Sequence, residues 1–324
     1  IEPVTDAAPE RGNGAMHRGL LERLQSGEAL VADGANGVRL AAYGYRPGEA
    51  PERWSLDHPE AMRAIHAGYI AAGADVVLTN TLGGSRPKLA PYGLGEEVAA
   101  INRDLALLLG DVIARSGREV FLAGDVGPTG ALLAPLGALE EREAIAIFRE
   151  QIAALVAGGA GCVFIETMMD LGEAAAAVRA ARECCDLPVI ATMAFNPVRD
   201  GYRTMMGVTP AAAAEALLAA GADVVGANCG QVQAADMPAL IRAFRAAGAP
   251  LVAVEPNAGL PQLVGEETVF SQTPEEMAAA VPDILAAGAN LVGGCCGTTD
   301  AHIRRIAAAI RGGAATGAPG AGPA

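Results

Sequence analysis

The amino-acid sequence predicts an α/β fold built as a single closed (β/α)8 barrel, and three observations carry that expectation. First, short apolar runs rich in Val and Ile recur at fairly regular intervals, each followed by a Gly-, Pro- or Asn-containing turn and then a longer stretch of helical spacing. There are eight such runs. Second, four of the helical stretches end on one tripeptide, Ala-Gly-Ala, at 72–74, 220–222, 247–249 and 287–289. A Gly there supplies the left-handed cap that turns a helix tightly into a strand. Third, apolar residues make up 52% of the 324 and aromatic residues only 4%, which leaves the interior to Ala, Val, Leu and Ile. That filling suits helices packed on a buried parallel sheet.

Taken in order, the strands are expected at 29–33, 75–79, 119–123, 162–166, 188–193, 223–227, 251–255 and 290–293. Helix starts are legible where a capping side chain or a first-turn Pro precedes an apolar periodic run, as in Asp57-His58-Pro59-Glu60, Thr209-Pro210 and Thr273-Pro274-Glu275-Glu276. An open doubly wound sheet is the competing arrangement. Its Gly-rich dinucleotide fingerprint is missing from the first turn, which reads Asp33-Gly34-Ala35-Asn36-Gly37. The TIM barrel is expected over 19–311, a length that suits one domain of this kind. Residues 1–18 mix Pro, Gly and charge, and 312–324 are almost wholly Gly, Ala, Pro and Thr, so both are expected to be flexible tails.

Net charge is −14, and 22 of the 23 basic residues are Arg, scattered without runs. That balance opposes the phosphate neutralisation a nucleic acid or an anionic membrane surface demands. The longest uncharged apolar stretch, 151–165, is broken by Gly158, Gly159 and Gly161 and falls short of the roughly 20 residues a membrane span needs. No basic segment followed by an apolar run opens the sequence, so a cytoplasmic location is expected. Six cysteines, four of them in the adjacent pairs Cys184-Cys185 and Cys295-Cys296, make a poor disulfide framework, and reduced thiols are expected.

In such a barrel the reacting groups come from the C-terminal ends of the strands, so the polar residues closing each strand are the candidates. The first strand closes on Asp33, the second on Thr79-Asn80-Thr81, the third on Asp125 and the fourth on Glu166-Thr167. The sixth closes on Asn228-Cys229, the seventh on Glu255-Pro256-Asn257 and the eighth on Cys295-Cys296. Three thiols therefore meet on one face from two strands. Three thiolates with a fourth position open form the pattern of a catalytic zinc, and soft sulfur favours zinc over Mg, Ca or Mn. Taken alone, Gly293-Gly294 and Gly297 would equally suit a phosphate-cradling turn. Cys162 opens a strand and Cys184-Cys185 close a helix, places that suit packing. His17 lies in the tail and His58, His66 and His302 on helices; none is a candidate ligand.

Asp33-Gly34-Ala35, Gly127-Pro128-Thr129-Gly130, Glu166-Thr167, Gly226-Ala227-Asn228-Cys229-Gly230, Pro256-Asn257-Ala258-Gly259-Leu260-Pro261 and Gly293-Gly294-Cys295-Cys296-Gly297-Thr298-Thr299 together resemble the homocysteine S-methyltransferases, over about residues 20–311. The resemblance implies a zinc held by Cys229, Cys295 and Cys296 that takes the homocysteine sulfur as fourth ligand. The bound thiol then stays deprotonated near neutral pH, although a free one has a pKa of about 8.5. Its attack on a methyl group in line gives methionine. The resemblance also assigns the substrate ammonium to Asp33 and Glu166, although two carboxylates at strand ends equally suit an acid/base pair or helix caps. Asn257 matches a residue able to approach the zinc before homocysteine arrives; Asn257-Ala258-Gly259 equally suits a turn.

For the methyl donor the expectation is betaine or another small onium compound, or a methylcorrinoid on a separate protein, since 324 residues leave no room for a corrinoid domain beside the barrel. The betaine enzymes surround their quaternary ammonium with aromatic rings, one directly after the strand-four Glu. Thr167-Met168 stands there in this sequence, and Tyr43, Tyr45 and Trp54 offer a substitute cage. Leu82 replaces a common Phe, and Asn36 and Val38 alter the opening loop. Two further readings are a barrel lyase or aldolase using Asp33 or Glu166 as base, and a zinc-stabilised subunit that docks a corrinoid protein.

Overall fold

Eight parallel strands form where the apolar runs mark them: β1 Leu30–Val31, β2 Val76–Leu78, β3 Phe121–Val126, β4 Cys162–Met168, β5 Val189–Met193, β6 Val224–Gln233, β7 Val252–Asn257 and β8 Leu291–Val292. This computed structural model describes residues 19–264 and 267–312; the expected tails, apart from Gly312, lie outside the described residues. The ladder runs β1-β8-β7-β6-β5-β4-β3-β2. Ala32 bridges to Val76 across the remaining seam, so the sheet closes on itself. A buried carboxylate completes that seam: Asp75 accepts from the Val31 N–H at 3.0 Å while Arg311 holds it from outside at 2.9 Å.

Strand alternation then sorts side chains to the two faces. Leu30, Val76, Leu78, Phe164, Ile190, Val224 and Leu291 fill the barrel, and Leu20 and Leu24 of the short helix Leu20–Gln25 join them. Their neighbours Val31, Val77, Val163, Ile165 and Val254 belong to the second layer, packed beneath the outer helices. Polar positions are therefore left to the strand ends.

The repeated Ala-Gly-Ala ends take the left-handed geometry, with φ of +110° at Gly73 and +111° at Gly221, values open to Gly because it has no Cβ. Thr209 and Thr273 cap the helices Pro210–Ala220 and Pro274–Ala279, Thr273 in a reciprocal box with Glu276. The start expected in Asp57-His58-Pro59-Glu60 forms, with Pro59 in its first turn. Asp57 ends a helix of its own, Pro51–Asp57, and Pro59 opens the next, Pro59–Ala72. Pro59 forces the break, since it has no N–H to continue a helix and disfavours helical geometry at His58.

Two antiparallel hairpins that the sequence did not announce, Asn196–Val198 with Gly201–Arg203 and Pro261–Val264 with Glu267–Phe270, follow β5 and β7. With the loops after β1 to β4 they surround the C-terminal mouth. The exposed large apolar side chains of the described residues, all but Leu107, lie in these hairpins and in the loops around the mouth, among them Leu82, Leu136, Met205 and Leu263. Among the described residues no helix is long and apolar enough to cross a membrane.

Candidate metal centre and substrate pocket

A cavity of about 630 Å³ opens at the C-terminal ends of the strands, and Cys229, Cys295 and Cys296 line it together with Asp33, Asp125, Glu166 and Glu255. β6 brings the first thiol by leaving regular geometry. Cys229 has φ +54°, the next residue Gly230 has φ +64°, and the register between β6 and β7 shifts here. A side chain at 230 would put its Cβ 2.1 Å from the Phe195 carbonyl oxygen, so only Gly fits. A left-handed non-glycine residue costs on the order of 1–3 kcal/mol, and such strain gathers at functional sites. Thr167 at the end of β4 is the other case, with φ +61° and a register shift beside it.

β7 brings the other two thiols into place. The Cys295 N–H donates to the Pro256 carbonyl at 2.9 Å, and the Cys296 N–H donates to Asn257 Oδ1 at 3.1 Å. Thr298 closes the turn, its Oγ1 donating to the Cys295 carbonyl at 2.7 Å. Asn257 also donates through Nδ2 to the Gly230 carbonyl at 2.8 Å. Its side chain thus ties the two cysteine turns together. Both its side-chain polar atoms are taken by backbone partners, and it is not among the residues lining the cavity.

The Cys229 and Cys296 sulfurs are 3.8 Å apart, those of Cys295 and Cys296 4.0 Å, and all three lie within 4.8 Å of one another. A tetrahedral zinc with sulfur ligands at about 2.3 Å needs sulfurs about 3.8 Å apart, so the donor set fits that ion in softness and in spacing. Hydrogen bonds from the Cys229 and Cys295 thiols pull the Cys296 thiol down, to about 3. Cys162 is fully buried in β4, and Cys184 and Cys185 sit half-buried against the outer layer. His58 stacks on Trp54, His302 shares the cap of the last helix with Thr299, and His66 is pushed down to about 3 by burial. His17 lies outside the described residues.

Asn228 links thiols and carboxylates. Its Nδ2 donates to Glu166 Oε2 at 2.5 Å and reaches the Cys295 sulfur at 3.7 Å, while its Oδ1 accepts from the Thr167 N–H and Thr192 Oγ1, both at 2.8 Å. Glu166 is raised to about 7, chiefly by burial, against the hydrogen bonds that favour its charged form. Burial likewise pushes Asp33, Asp125 and Glu255 well above the ordinary carboxylate range, although the Leu78 N–H at 3.1 Å stabilises ionised Asp33. An anionic pocket of this kind is poised for a cation.

The proposed cage of Tyr43, Tyr45 and Trp54 does not form. Trp54 is only 5% exposed, its ring stacked 4.2 Å from His58 and met edge-on by Tyr45 at 5.9 Å. Helix packing has taken both its face and its edge. Of the three only Tyr45 lines the cavity, where Tyr92 and Phe270 join it from other loops. Asn36, Val38 and Leu82, the departures noted in the sequence, all line the cavity. Sequence reasoning gave Asn228 as a polar strand end without a role and did not single out Tyr92, Phe270 or Lys88, whose place depends on where their loops fall.

A sequence model of the homocysteine S-methyltransferase family matches residues 30–310. The chain is 33% identical to the methionine synthase of Mycobacterium tuberculosis over 300 residues, covering 88% of this chain and 25% of that protein. It is 32% identical to that of Mycobacterium leprae over 306 residues, covering 90% and 25%. The chain therefore spans about a quarter of the length of these curated relatives. Among solved structures, the homocysteine methyltransferase MmuM of Escherichia coli superposes with a TM-score of 0.72 in its oxidized form, at 24% identity and 89% and 97% coverage. Its metallated form gives 0.71, at 23% identity and 87% and 96% coverage. These likenesses support the barrel. With the family's sequence pattern running through every strand that feeds the thiol and carboxylate cluster, the chain belongs to the homocysteine S-methyltransferase family.

Proposed function

We propose that this chain transfers a methyl group to the thiol of homocysteine, giving methionine, with zinc held by Cys229, Cys295 and Cys296. The observation that carries this reading is the convergence of three thiols with Asp33, Asp125, Glu166 and Glu255 on one cavity, sulfur for sulfur and anion for ammonium. A zinc bound by the three cysteines would supply a Lewis acid that keeps the substrate thiol deprotonated near neutral pH. The chain's own residues then do the positioning. Asp33 and Glu166 hold the ammonium and so aim the thiol end of the substrate at the cysteines. Asn228 fixes Glu166 and the strained Thr167, which keeps the amine and sulfur ends of the site in register. The new S–CH3 bond forms as the donor's bond to methyl breaks, and the thiol proton leaves to solvent. Burial of the site keeps competing water from the methyl group.

For the donor, the apolar side chains around the mouth support one presented by a protein surface, a methylcorrinoid carried on a protein module. A small onium donor is the second reading, favoured by Tyr45, Tyr92 and Phe270 in the cavity. Two measurements test the whole. Metal analysis of the purified chain should find one zinc, lost on changing Cys229, Cys295 or Cys296 to Ser; zinc retained in all three variants would sink the metal assignment. A screen of methylcobalamin-loaded protein, betaine, S-methylmethionine and S-adenosylmethionine with homocysteine should show rates that saturate with the corrinoid carrier. Turnover with a free onium compound alone would reverse the choice of donor.

A further inference from the structure

Five carboxylates line the cavity; Glu52 is taken by the Gly83 N–H, and of the other four the reading above uses two. Asp125, at the end of β3, is 3% exposed and held rigidly by its backbone. Its N–H donates to Thr79 Oγ1 at 3.0 Å and its carbonyl accepts from Thr81 Oγ1 at 2.7 Å. Its side chain has no such support. Oδ1 is fully buried and has no hydrogen-bond partner among the described residues. The group within hydrogen-bonding reach is the Glu166 carboxyl, itself an acceptor, so the two bond only when one carries a proton. A buried acceptor left without a donor is costly and rare, and a functional site is where one is kept.

Among the described residues no cation fills the gap. Lys88 is the one basic residue lining the cavity; it is exposed at the rim and forms no ion pair with any of the four carboxylates. A bound metal does not suit either. Among the described residues the carboxylate oxygens do not gather at ligating distance, as the three thiols do.

We infer that Asp125 is a binding residue for the primary ammonium of the substrate, accepting an N–H at Oδ1 beside Asp33 and Glu166. The inference rests on the homocysteine reading and extends it. An ammonium group has three N–H donors, and Asp33, Glu166 and Asp125 offer one carboxylate for each. A quaternary ammonium donor such as betaine has no N–H, would leave Oδ1 unpartnered, and is excluded from this subsite on that ground.

The test is Asp125→Asn, read by calorimetric binding of two thiols to the zinc-loaded chain. Homocysteine is one; 4-mercaptobutyrate, which keeps the thiol and the carboxylate but lacks the amine, is the other. The wild type should prefer homocysteine. The variant should lose about tenfold or more in homocysteine affinity, the scale for removing one partner of a buried charge, and stay within about twofold for 4-mercaptobutyrate. Zinc content should not change. The melting temperature of the ligand-free variant should hold or rise, because one acid leaves a crowded anionic cluster. Equal loss for both thiols, unchanged homocysteine affinity, or a lowered melting temperature shared by Asp125→Ser would overturn the inference in favour of a packing role. Wild-type protein that binds neither thiol would instead overturn the homocysteine reading, and this one with it.

Discussion

Asn228 and Glu166 are joined side chain to side chain, the Asn228 amide donating to the carboxylate at 2.5 Å. The same amide reaches the Cys295 sulfur at 3.7 Å, so one uncharged residue touches both chemistries of the pocket. Its neighbour in sequence is Cys229, and its oxygen holds the left-handed Thr167 in place. Outer residues that orient a metal's ligands commonly matter about as much as the ligands themselves.

Asn228→Ala should therefore weaken two things at once. Zinc affinity is expected to fall about 10- to 100-fold, as for other residues behind a metal. Folding stability should fall by about 2–3 kcal/mol, because the Thr167 N–H and the Thr192 hydroxyl lose a buried acceptor. Competition with a chelator of known affinity measures the first and denaturant unfolding the second. Unchanged zinc affinity would show that Asn228 serves Glu166 alone.

Metal and substrate should be linked through protons. Homocysteine must give up its thiol proton to join the three cysteines, so its binding to the zinc-loaded chain near neutral pH should release about one proton. Calorimetry in buffers of different ionisation enthalpy reads the number directly. The chelated chain should bind homocysteine weakly and without that release; the same proton count with and without metal would show that the thiol does not reach the site.

Glu166→Gln should keep its zinc and lose homocysteine affinity by on the order of 2–5 kcal/mol, the cost of stripping one partner from a buried charge. Asp33→Asn should act alike. A variant that binds homocysteine normally but does not turn over would favour acid/base chemistry. The same carboxylate sets a pH dependence. Its folded value, about 7, lies above its ordinary 4.5, so the folded state holds a proton the unfolded chain has released. The metal-free chain should thus lose stability as pH rises from about 4.5 to 7. Glu166→Gln should reduce that slope in unfolding curves taken across the window, leaving the part that the raised Asp33, Asp125 and Glu255 contribute.

Trp54→Leu should behave as a core change. With its ring stacked on His58 and buried to 5% exposure, its shortening should cost about 2–4 kcal/mol of stability. The KM for every donor should change by the same factor or not at all. A loss confined to cationic donors would restore Trp54 to the donor site.

Much of this was legible because the barrel is a local code repeated eight times. Short apolar runs rich in Val and Ile, Ala-Gly-Ala caps and first-turn prolines are short-range signals, and each strand forms within a few residues of its expected place. Once the barrel is inferred, every strand end is known to face one mouth, so Cys229 and the Cys295-Cys296 pair could be brought together on paper across more than sixty residues of sequence. What alternation along a strand leaves open is which polar atom meets which across the mouth, because that depends on bulges and loop paths. The left-handed turns at Thr167 and Cys229, the reach of Asn228 to Glu166 and Cys295, and the bond from Cys296 to Asn257 arise from contacts between residues distant in sequence. Trp54 shows the same limit. Its loop lies after β1 as expected, but a helix beginning at Pro51 turns the ring into the core against His58. Burial of an aromatic surface is worth more than leaving it in the mouth, and only the packed helices decide which of the two it finds.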